Sequence, residues 1–73
     1  MARMTKTSKE NLMVADRIEI DHFEKLGVYT VRVWRGDRMA YLLDSEKAVE
    51  YPTIIAARRA VRRLRPDLEP TTI

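Results

Sequence analysis

Val28-Tyr29-Thr30-Val31-Arg32-Val33-Trp34-Arg35, then Gly36-Asp37, then Arg38-Met39-Ala40-Tyr41-Leu42-Leu43 is the stretch that decides the fold. Both flanking runs are rich in β-branched, aromatic and other apolar residues, the composition of strands. A two-residue Gly-Asp connection fits a type II′ hairpin turn, because glycine takes positive φ without steric cost. The turn fixes the register. Arg35 stands opposite Arg38, Trp34 opposite Met39, Val33 opposite Ala40, Arg32 opposite Tyr41 and Val31 opposite Leu42. Opposed residues share a sheet face. One face then carries Tyr29, Val31, Val33, Ala40 and Leu42, and reads as core. The other carries Thr30, Arg32, Trp34, Met39, Tyr41 and Leu43, a mixture of aromatic, apolar and cationic groups.

Upstream of the hairpin, Arg17-Ile18-Glu19-Ile20-Asp21 alternates strictly and predicts a third strand, ended by Gly27. Downstream, Asp44–Tyr51 reads as a polar connection with room for one helical turn after Asp44 or Ser45. Pro52 biases Tyr51 away from helix. Thr53 suits an N-cap, and Ile54, Ala57, Val61 and Leu64 recur at spacings of three and four, with Ala60 beside them. Pro66 ends that helix. Residues 1–14 are polar and basic without sustained periodicity and read as a flexible arm. A helix over 9–20 would lack an apolar stripe. Residues 67–73 read as a loose tail. The expected fold is α+β: a three-stranded antiparallel meander with one C-terminal helix, in a single β-β-β-α domain over residues 15–66. Neither the helix stripe nor the Val31/Val33 face buries itself alone, so each needs the other.

The chain has 73 residues, 14 Lys+Arg against 11 Asp+Glu, one histidine and no cysteine. Disulfides and thiolate metal sites are thereby excluded, and so is any site needing two imidazoles. No apolar run approaches the roughly 20 residues of a membrane span. The opening Met-Ala-Arg-Met-Thr-Lys lacks a signal peptide's apolar stretch, and the expectation is a cytoplasmic protein.

Few residues invite catalysis. His22 beside Asp21 and Glu24 reads as a surface histidine. Glu19 and Asp21 lie on one side of a strand without a third ligand. Gly27 and Gly36 form no phosphate loop, and Ser8 and Ser45 lack a nucleophile's context. The reading is a non-enzyme without cofactor or metal. Two binding features stand out. Arg58, Arg59, Arg62, Arg63 and Arg65 fall within residues 53–66, where there is no acid. Such a ridge suits a phosphate backbone or an acidic protein patch. Arg32, Trp34, Met39 and Tyr41 form the second group. These residue types stack bases or anchor protein interfaces, and Met39 with Leu43 tilts the balance towards a protein. The competing reading gives Trp34 to a thin core beneath the N-terminal arm or the first strand.

In length, absence of cysteine, a short Arg-rich helix behind the Gly36-Asp37 hairpin and loose ends, the chain resembles small proteins that lytic phages use to take over host transcription. The likeness is to the RNA-polymerase-binding type known from Xanthomonas phages. It implies a monomeric protein in the infected bacterial cytoplasm that docks on host RNA polymerase. There it would hinder sigma engagement or promoter opening, with antitermination as a further activity. The likeness assigns no residue a role. The alternatives are direct nucleic-acid binding, or inhibition of another host nucleic-acid or defence machine.

Overall fold

The computed structural model describes residues 4–45 and 47–72. It is an α+β fold with one main sheet and two helices. The elements are α1 (Lys6–Val14), β1 (Arg17–Phe23), β2 (Val28–Arg35), β3 (Arg38–Tyr41), β4 (Leu43–Asp44), β5 (Lys47–Ala48), α2 (Ile54–Leu64) and β6 (Thr71–Thr72). The main sheet is mixed, in the order β3-β2-β1-β6. β1, β2 and β3 form the antiparallel meander, and β6 lies parallel to β1, pairing Thr71 with Glu19 and Thr72 with Ile20.

The hairpin register is the one its turn dictates: Arg35 with Arg38, Trp34 with Met39, Val33 with Ala40 and Arg32 with Tyr41. Leu42 N–H continues the pattern by donating to Val31 O at 3.0 Å. Gly36 sits at φ 61°, and Asp37 has no positive φ, as a type II′ turn requires. Asp16 reinforces the turn, its Oδ2 accepting Gly36 N–H at 2.8 Å. The β1–β2 connection is a four-residue loop closed by Gly27 at φ 63°.

Alternation places Ile18 and Ile20 of β1 with Val31, Val33, Ala40 and Leu42 on one face. Both helices cover that face. Ala57 and Val61 of α2 and Leu12 of α1 complete the buried cluster, with Ala15 just beyond α1. α2 begins where Thr53 Oγ1 accepts Ala56 N–H at 3.1 Å, and it stops one turn before Asp67.

Four expectations need correction. The expected flexible arm, residues 1–14, is helical over Lys6–Val14; its residues 1–3 lie outside the described residues. Thr5 caps that helix, its Oγ1 accepting Ser8 N–H at 3.1 Å. Leu12 is fully buried, and buried Ser8 accepts Leu43 N–H at 2.8 Å through its Oγ. A hydroxyl thus occupies a core-facing position where an apolar stripe was sought. The second correction concerns the tail. Leu68 packs on the core, Pro70 is buried and Thr71–Thr72 form β6; residue 73 is not described. Third, the described residues directly after Asp44 form no helical turn. β4 and β5 pair instead as a small hairpin, with Ser45 at φ 61°, and the chain returns beside β2 through a Tyr29–Tyr51 bridge. Fourth, the meander with a single helix is part of the fold and not the whole of it.

Candidate functional site

Both helices lie on one face of the sheet, which leaves the other face without a covering layer among the described residues. Cross-strand rows organise it. Arg17, Trp34 and Met39 form one row, and Glu19, Arg32 and Tyr41 the next. Glu19 is the hub. Its Oε1 accepts the indole N–H of Trp34, and Arg32 Nη2 lies 3.5 Å from the same oxygen. Arg17 covers the ring, its guanidinium carbon 4.6 Å from a Trp34 ring centroid. A buried indole N–H needs a partner, and Glu19 supplies it. The Arg32 and Glu19 side chains are 22% and 17% exposed, so the ion pair is only partly shielded from water.

Trp34 is therefore neither core nor freely displayed. It belongs to the outer face, half-buried under Arg17 of the first strand, with its edge fixed by Glu19. Sequence reasoning named Arg32 and Trp34 but missed Glu19 and Arg17. The signal was available: once β1 pairs with β2 across the loop ending at Gly27, Glu19 must face Arg32 and Arg17 must face Trp34. Met39, opposite Trp34, and Tyr41, opposite Arg32, are exposed by 41% and 37%. A scatter of exposed apolar residues is ordinary, but Met39 and Tyr41 beside an ordered tryptophan offer apolar contact with built-in orientation.

The arginine ridge lies elsewhere. α2 is on the opposite side of the sheet, so Arg58, Arg59, Arg62 and Arg63 do not join Arg32, Trp34, Met39 and Tyr41 in one surface. The tail also folds back on the ridge. Arg58 Nη2 donates to Thr72 Oγ1 at 3.4 Å, and Arg62 pairs with Glu69 at 3.3 Å. Arg65 is structural. Its Nη1 donates to the carbonyls of Leu12, Met13 and Ala15 at 2.9, 3.0 and 2.7 Å, and its Nε and Nη2 hold Asp67. Arg59 and Arg63 are exposed and have no carboxylate within 4 Å among the described residues.

On the core side of the sheet His22 stacks on Tyr29, centroids 4.5 Å apart. Burial raises the Tyr51 phenol above its ordinary range. Among the described residues no three His, Asp or Glu side chains converge as a metal site, and no helix is long and apolar enough to cross a membrane. No protein-family model matches the sequence, and neither curated proteins nor solved structures give a match.

Proposed function

We propose that this chain is a non-enzymatic binding protein that acts by occupying a larger partner, and that the partner is bacterial RNA polymerase. The observation that carries the binding reading is the uncovered sheet face, where Met39 and Tyr41 flank a tryptophan held by Glu19 and Arg17. A preordered aromatic anchor with an apolar surround suits a protein interface, because little side-chain freedom remains to be lost on docking. The polymerase is named on the likeness to small phage regulators. On that reading the chain inhibits initiation by obstructing sigma engagement or promoter opening, and lets elongating enzyme pass terminators.

Direct nucleic-acid binding is the second reading, favoured by exposed Arg59 and Arg63. The folded tail weighs against it, since Glu69 and Asp67 lend negative charge to the same helix.

The test is affinity capture on purified bacterial RNA polymerase at moderate salt. Wild type is expected to be retained, and Met39→Glu/Tyr41→Glu to be lost. Both positions are exposed, so circular dichroism should report an intact fold. Arg62→Glu/Arg63→Glu should bind as wild type. Failure of the wild type to bind polymerase overturns the partner. Loss with the arginine variant alone moves the interface to α2.

A further inference from the structure

The end of the hairpin carries an unusual pair. Arg35 and Arg38 stand directly opposite each other, the closing pair of the β2–β3 ladder. Like charges in that position destabilise a sheet. Among the described residues neither guanidinium has a carboxylate within 4 Å. Asp16 and Asp37, the acids at the turn, form no ion pair with either arginine. Asp16 is bound to the turn through Gly36 N–H, and Asp37 sits exposed within the turn. The two arginines flank a cleft of about 280 Å³ between α1 and the hairpin. Val33, Trp34, Met39 and Ala40 of the hairpin and Asn11 and Val14 of α1 line it beside them, and no acidic residue does.

The cleft adjoins a sheet edge. β3 is the terminal strand, and beyond it the chain is already capped, since Leu43 is bonded through its N–H to Ser8 and through its carbonyl to Thr5 N–H. In a two-residue hairpin the closing residues bond to each other, and so do alternate pairs after them. Arg38 and Ala40 therefore turn their backbone groups towards β2. Met39 and Tyr41 turn theirs to the open edge. An edge strand with backbone groups free to pair is a template for another strand, and arginines on it are a usual defence against indiscriminate pairing.

We infer that the β3 edge and the Arg35/Arg38 cleft together receive an acidic, apolar segment of the protein partner in extended conformation. Backbone groups of the segment pair with Met39 and Tyr41. An apolar side chain rests on Val33 and Ala40, and a neighbouring carboxylate lies between the two guanidiniums. A carboxylate there relieves the repulsion between Arg35 and Arg38 and makes charge-assisted bonds with both. The charge pair excludes basic segments, so one feature supplies both attraction and discrimination. This site lies next to the outer face already described and deepens the proposed polymerase reading, on which the identity of the partner rests.

Two measurements test it. The first titrates the isotope-labelled protein with a short blocked peptide alternating valine and glutamate, with the same peptide carrying lysine for glutamate, and with acetate alone. Amide resonances of Arg35 and of Arg38–Tyr41 should shift with the glutamate peptide only. Equal shifts with the lysine peptide, shifts confined to Arg59 and Arg63, or no shift at all would overturn the inference. Shifts with acetate as large as with the peptide would reduce it to a simple anion site. The second measurement uses Arg38→Glu in polymerase capture. This variant places an acid opposite Arg35 and should raise the melting temperature while weakening capture by about tenfold or more. Wild-type binding by a folded Arg38→Glu protein would overturn the inference and leave the polymerase reading standing. Absence of polymerase binding by the wild type, with the glutamate peptide still bound, would do the reverse.

Discussion

The two helices of this protein are alike in outline and differ in what holds them. α1 has nine residues and α2 eleven, and each starts on a threonine whose hydroxyl accepts an early backbone N–H. α2 buries Ala57 and Val61 with Ile54 and Leu64 beside them, so its own amphipathic stripe docks it. α1 buries only Ser8 and Leu12. Isolated helices of this length are marginal in water, so α1 depends on bonds made by distant parts of the chain. Leu43 is bonded to its first turn, and Arg65 reaches from beyond α2 to its terminal carbonyls. The carbonyls at a helix end have no partner within the helix, and a cation beside them also suits the helix dipole. One helix is thus specified locally, the other by long-range polar contacts around a single buried leucine.

The largest expected effect comes from removing that leucine. Leu12→Ala should destabilise the fold by about 2–5 kcal/mol, the cost of a large-to-small change at a fully buried site. Chemical denaturation measures it. If α1 were dispensable, the loss would be far smaller and the contrast between the helices would collapse. Ser8→Ala should cost about 1–3 kcal/mol, because Leu43 N–H loses its acceptor in a part-buried setting. Ser8→Val, which adds apolar bulk, should not rescue it. Recovery with valine would mean that packing and not the hydroxyl governs this position. Thr53→Ala removes only the local cap of α2 and should cost about 1 kcal/mol. Amide exchange should quicken in its first turn and leave α1 unchanged.

The same contrast explains what could be read from the sequence. Strand spacing, the Gly36 turn and the Ile54–Leu64 stripe are local signals, and they yielded β1, β2, β3, α2 and the hairpin register. α1 gave no periodic signal because one of its two core-facing positions is a serine. Its legible trace was Thr5 three residues before Ser8, a capping pattern without an apolar run behind it. β6 has two residues and exists through pairing with β1, which no local pattern encodes. Within the candidate site, Arg32, Trp34, Met39 and Tyr41 followed from the hairpin alone. Glu19 and Arg17 required a second register, across a four-residue loop. The arginine ridge was legible as composition, but its partial neutralisation by Asp67 and Glu69 depends on where the tail folds.

The smallest effect tests the distant support of α1 by pH. The bidentate bond from Arg65 holds the Asp67 carboxyl below the usual carboxylate range. A folded-state value below the unfolded one means that the stabilisation is fully present above the unfolded value and fades as the pH falls through the folded one. The melting temperature should therefore drop as the pH falls below about 4, and Asp67→Asn should flatten that part of the profile. Asp67 is exposed, so screening keeps the effect small and moderate salt should reduce it further. Its location is more telling than its size. Acid should loosen the Arg65 side chain, and amide exchange should quicken at the C-terminal end of α1 before it does so in α2. Exchange that quickens first in α2, or equally in both helices, would show that Arg65 and Asp67 do not support α1 in particular.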